Sequence, residues 1–220
     1  MISRRAVLGT VLLAGALSCS EATSPDHLPA YDWRLFGPGL GADTLSFHWP
    51  REMLPLKIWV EDSLDMPTHV QDGIEAWEGS FLYGEYSAVL VSDSSSADVI
   101  VRVALAPPKP APSFARLRTV FPGCEGATDL DLELGSTIHE LRLPMRMYLT
   151  PRYDPATADL TECFQVTALH ELGHSLGIFR HSSDQADIMY GDPIGPGLSV
   201  RDVNTAQALS HYPVNVTPVR

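Results

Sequence analysis

The sequence is short of cations, of cysteine and of long apolar runs, and each shortage excludes something. Its 220 residues carry 15 Lys+Arg against 27 Asp+Glu, a formal net charge of −12. Phosphate binding needs clustered Lys and Arg, so nucleic acid is excluded as the main partner. The apolar run at 6–18 (AVLGTVLLAGALS) falls short of a bilayer core, which argues against a spanning helix. Charged residues are only 19% while hydrophobic residues reach 45%, which excludes a disordered chain. The length suits one domain, or two lobes around a cleft, with ample core. Three cysteines are an odd number, so one lacks an intramolecular partner.

The N-terminus reads as an address. Arg4 and Arg5 precede the apolar run, as in a signal peptide over 1–18, and its loss makes the remaining chain more acidic still. Gly15, Ala16, Leu17 and Ser18 before Cys19 resemble a bacterial lipoprotein signal, with Cys19 as the lipidated new N-terminus. The alternative is a plain secretory peptide cleaved near Cys19. Arg4 and Arg5 within SRRAVL also look like a twin-arginine signal, so the export route stays open between that and the general one. Either way the protein is expected outside the cytoplasm, held at the cell envelope by lipid or secreted.

Residues 19–45 are expected to form a tether, most plainly 20–30 (SEATSPDHLPA), which is polar and without periodicity. Strands are expected at 56–60 (LKIWV), 88–91, 98–105 (DVIVRVAL), 129–134 (DLDLEL) and 145–149 (MRMYL). A helix at 68–80 places Val70, Ile74, Trp77 and Phe81 on one face, with Thr68 and Gln71 at capping-box spacing. The prolines of 106–112 (APPKPAP) require an extended loop, or a ligand for a partner module. Helices follow at 160–176, with Asp159 and Glu162 in capping positions, and at 200–210, opened by Ser199 and Asp202. Strands first and helices last predict an α+β fold: a sheet lobe, then a smaller helical lobe. The folded domain is expected over 46–213, with 214–220 as a tail.

The chemistry concentrates in 170–181, HELGHSLGIFRH. On a helix His170 and His174 project from one face, one turn apart, and both imidazoles can reach a single Zn²⁺. Glu171 beside them is placed to move a proton between water and a leaving amine. Gly177 can turn the helix end through positive φ and bring His181 back as a third ligand. Three nitrogens leave a fourth position for water, the layout of a catalytic zinc site. The plain alternative is a pair of surface histidines met by chance on an amphipathic helix.

His170, Glu171, His174, Gly177 and His181, followed by Asp187, Ile188, Met189 and Tyr190, resemble the metzincin metalloproteases, most of all the matrixin branch. The resemblance extends more weakly over about 56–212. It implies a two-lobed zinc endopeptidase: a mixed twisted sheet, a zinc-site helix, a C-terminal helix, and Met189 in a turn beneath the histidines. The protein or peptide substrate would lie extended along an edge strand, for which 126–134 is the candidate; a monomer is expected. The sequence departs from the family at three places. Arg180 stands where the third histidine usually falls and His181 one residue later; Gly191 replaces a proline; and Tyr190 directly follows Met189, so it reads as wall and not as ligand. Nothing resembles the cysteine-bearing pro-segment of latent matrixins.

Weaker candidates complete the list. Asp129, Asp131 and Glu133 fit either a structural Ca²⁺ site or the wet face of a strand. His27, His48, His69, His139 and His211 are scattered and read as solvated or hydrogen-bonded residues. With Cys19 committed to lipid, Cys124 and Cys163 are expected to form a disulfide; two buried free thiols are the alternative. Two functional alternatives stand beside the peptidase: a surface lipoprotein that binds a partner on the same scaffold without catalysis, and a zinc-binding protein without hydrolysis.

Overall fold

A computed structural model describes residues 29–36, 44–104, 109, 114–135, 138–156 and 158–220. The expected signal peptide, Cys19, His27 and most of the proline-rich loop lie outside the described residues. Among them no helix is long and apolar enough to cross a membrane. The chain builds β1 (Leu56–Val60), α1 (Met66–Glu78), β2 (Ala88–Val91), β3 (Val99–Val103), β4 (Phe114–Phe121), β5 (Cys124–Glu133), β6 (His139–Pro151), α2 (Thr161–Leu176), α3 (Val200–Ser210) and β7 (Val216–Val219). This is the expected α+β composition, with three α-helices and one mixed sheet among the described residues.

The seven-stranded sheet runs β2-β1-β3-β6-β5-β4, and β7 pairs with β6 off this path. Strands β2, β1, β3 and β6 are parallel; β5 runs antiparallel to both β6 and β4. Alternation puts Leu56 and Ile58 of β1, Val99 and Val101 of β3, and Met145, Met147 and Leu149 of β6 into the core, all fully buried. Lys57 and Arg102, one position out of phase, are exposed. Val70, Ile74 and Trp77 of α1 are buried as expected, and Trp77 Nε1 donates to the Leu169 carbonyl of α2 at 2.9 Å.

Four expectations are corrected. First, the strand expected at the edge, 126–134, is interior: β5 lies between β6 and β4, a strand the sequence reading left out. Ala115, Leu117, Thr119 and Phe121 alternate with Arg116 and Arg118, and a tight turn at Pro122 and Gly123 (φ 97°) folds β4 onto β5. Second, 214–220 is no tail, since β7 adds to the N-terminal half of β6. Third, the expected tether reaches into the core. Leu35 and Leu45 exchange backbone hydrogen bonds, Trp33 and Leu45 are buried, and the Trp33 carbonyl accepts from Phe179 N at 2.8 Å. Apolar side chains in that stretch outweigh its polar character. Fourth, α1 opens two residues early: Pro67 fits its first turn, Thr68 Oγ1 donates to Asp65, and Gln71 pairs with Glu75.

Cys124 and Cys163 form the expected disulfide, their Cα atoms 5.8 Å apart across a sequence separation of 39. It ties the first residue of β5 to the first turn of α2. A closed loop of this length constrains the unfolded chain by about 4 kcal/mol. The Cys124→Ser/Cys163→Ser variant is expected to lose stability of that order in urea unfolding, read as a lower midpoint with a slope that rises as the released unfolded chain exposes more surface.

Candidate metal centre

Helix α2 presents His170 and His174 one turn apart, and then stops at a designed break. Gly177 (φ 118°) donates to the His174 carbonyl and Ile178 to the Gly173 carbonyl, both at 3.1 Å: a Schellman cap. A Cβ at Gly177 would lie 2.2 Å from the Phe47 carbonyl oxygen, so no other residue fits without displacing backbone. The reversal carries His181 back to α2. The extra residue before it turns outward, with the Arg180 guanidinium 5.1 Å over the Phe36 ring.

The three rings converge. His174 Nε2 stands 3.0 Å from His170 Nε2 and 3.2 Å from His181 Nε2, and the three form a group able to hold a metal ion. The opposite nitrogens set the tautomers. His170 Nδ1 lies 2.6 Å from the Ile188 carbonyl and His174 Nδ1 2.6 Å from the Ile178 carbonyl. A carbonyl only accepts, so each Nδ1 carries the proton and each Nε2 turns a lone pair inward. His170 and His174 are fully buried and His181 half-buried. Burial, with neighbouring imidazoles adding to it, lowers His170 to about 3 and holds His174 well below its ordinary value; burial also lowers His181. All three are therefore neutral at physiological pH, the form in which an imidazole can bind a metal.

Glu171 points the other way, toward the sheet. It is 0% exposed, its Oε2 accepts from Thr128 Oγ1 of β5 at 2.6 Å, and its Oε1 has no partner. A Cβ at Gly126 would lie 2.3 Å from Oε1, so glycine there makes room for the carboxylate. Burial pushes the carboxyl up to about 8, against the pull of Thr128 and Thr119.

Met189 lies beneath α2, where a Cβ at Gly173 would be 2.3 Å from its Sδ. Two acids clamp its turn. Asp202 accepts from Ile188 N at 2.8 Å, from Ser199 N at 2.9 Å and from Tyr31 Oη at 2.8 Å. Asp187 accepts from Ser199 Oγ at 2.6 Å, from Arg201 Nε at 2.9 Å and from Ser182 Oγ. Burial opposes ionisation of Asp187, but these hydroxyls and the guanidinium outweigh it and hold its pKa below the ordinary value. The sequence marked Asp202 only as a helix cap, and the box with Ser199 is indeed formed. Its second role had no local signal; Asp187 and Tyr31 had none either. Tyr190 is half-buried and outside the metal group, in keeping with a wall.

The calcium reading is not supported. Asp129 receives both arms of Arg116 at 2.6 Å, Glu133 pairs with Arg142, and Asp131 faces Arg142 across the ladder. Arginines neutralise these acids, so they cannot gather on a cation. Of the other histidines, His48 Nδ1 lies 3.3 Å from the Trp49 carbonyl and His211 3.7 Å from Glu85. His69 and His139 are buried with Nδ1 unpartnered, contrary to expectation, and none joins the metal group. The chain matches no protein-family model and, at a significant level, no curated protein.

The buried histidines set a pH dependence for the metal-free protein. The unfolded chain takes up protons as pH falls below about 6.5, whereas folded His170 stays neutral until about 3. The histidines' share of the stability is thus full above about pH 6.5 and is lost progressively toward pH 3. Thermal unfolding of the chelated protein should show this decline, and His170→Asn should flatten it.

Proposed function

We propose that this chain is an exported zinc metalloendopeptidase of metzincin type, anchored by lipid at Cys19. The observation that carries the reading is the convergence of three Nε2 lone pairs on one point, next in sequence to a buried glutamate. Ligands at 2.0–2.1 Å around tetrahedral zinc stand roughly 3.3–3.4 Å apart. The observed 3.0 and 3.2 Å fall within a few tenths of an ångström of that, so the donor set fits. Zinc held there by His170, His174 and His181 supplies Lewis acidity to water and to a peptide carbonyl. Glu171, next in sequence to a proposed ligand, would accept a proton and return it to the leaving amine. Thr128 holds one of its oxygens and leaves the other unpartnered. Met189 and the clamp on its turn hold the carbonyl that orients His170.

A second reading, a partner-binding lipoprotein without catalysis, draws on one observation: Glu171, His170 and His174 are all 0% exposed. Zinc stoichiometry and cleavage of casein separate the two. The parent is expected to bind one zinc per chain and to lose cleavage with a chelator. His181→Ala should weaken zinc binding by at least tenfold. Glu171→Ala should keep its zinc and lose about 10²–10⁴-fold in rate. An alanine variant that cleaves as fast as the parent would sink the mechanism.

A further inference from the structure

We propose that β4 is a strap closing this site, and that an extended polypeptide enters by displacing β4 from β5; the proposal rests on the peptidase reading. No substrate can touch Glu171, His170 or His174 as they stand, since all three are 0% exposed. On the sheet side Glu171 is covered by Gly126 and Thr128 of β5 and by Thr119 of β4, which lies directly opposite Gly126 in the ladder.

Only one of these strands is free to leave. Strand β5 is paired along both edges and is tied to α2 through the Cys124–Cys163 disulfide. Strand β4 is outermost, with a single ladder to β5. Near its end it crosses to the other half of the site: Val120 N donates to the Gly191 carbonyl at 3.0 Å. Gly191 in turn lies against His181, where a Cβ would be 3.2 Å from ring Nδ1. The strand therefore bridges the sheet above Glu171 and the turn beside His181. At that point Thr119 faces the Glu171 carboxyl and helps to stabilise its charge, although Thr119 Oγ1 and Glu171 Oε1 are buried without a hydrogen bond of normal geometry. The pairs Arg116–Asp129 and Arg118–Glu125 fasten it from the opposite face.

Displacement is an exchange of like for like. The backbone bonds β4 makes to β5 are available to any extended chain that takes its place, as in strand addition at a sheet edge. The occupant implied is an unstructured polypeptide in β conformation, which brings its carbonyls over Glu171 where Thr119 now lies.

A reversible lock tests this on the zinc-loaded protein. Val120 turns its N–H away from β5, so Arg118, two residues earlier, stands opposite Ala127 in the closely spaced kind of pair, at about 4.5 Å between Cα atoms. That is within the reach of a disulfide. Arg118→Cys/Ala127→Cys should cleave casein at least tenfold more slowly when oxidised than after mild reduction, the reduced form serving as the control for folding. In Glu171→Gln, which holds substrate without turning it over, casein should speed hydrogen exchange of β4 amides at least tenfold. Equal cleavage by both forms of the lock overturns the strap and leaves the peptidase reading intact. If no form cleaves, exchange decides. Faster exchange then upholds the strap and sinks the peptidase reading, while unchanged exchange sinks both.

Discussion

Imidazole nitrogens that turn their lone pairs on one another inside a protein repel unless a positive charge stands between them, and much of this molecule is arranged to enforce that encounter. The rings cannot rotate away, because Nδ1 of His170 and of His174 is bound to a backbone carbonyl. Those carbonyls are themselves fixed. The Schellman cap at Gly177 holds Ile178, and Asp202 holds Ile188 by its N–H. One carboxylate thus caps α3 and aims a histidine on α2.

What was legible in the sequence was local. Spacing along a helix needs no tertiary knowledge, so His170, His174 and Gly177 stood out, and the Ser199–Asp202 box did too, whereas Met189 was marked only by the family resemblance. What was missed depended on partners far away in the chain. Strand β4 carried a readable alternation and a Pro-Gly turn, but it followed a proline-rich stretch that suggested an end to structure. Strand β6 runs through Pro144 and β7 through Pro218, and proline inside an apolar pattern argues against a strand. The contribution of Trp33 and Leu45 was hidden because neither sits in a periodic segment; each joins the core through partners far along the chain, as Trp33 does at Phe179.

The scarcity of cations also takes on a different meaning in three dimensions. Arginine is concentrated on the outer face and edge of the sheet, where Arg116 joins Asp129 and lies 5.7 Å over Tyr148, and Arg102 lies 5.5 Å over Trp59. Elsewhere single arginines meet buried acids, Arg201 at Asp187 and Arg220 at Asp98. Acids that look free when counted along the chain are neutralised when it folds.

The contact between Tyr31 and Asp202 joins residues 171 positions apart, and Ala30 N reaches Thr205 close by. On a chain made, or threaded through a membrane, from its N-terminus, α2 with two of the histidines emerges well before the helix whose acid aims His170. Completion of the three-histidine cluster is therefore a late event in folding, set by the arrival of α3 and not by the arrival of the histidines. A chain stopped short of that helix would carry all three histidines without the carboxylate that fixes the Ile188 turn.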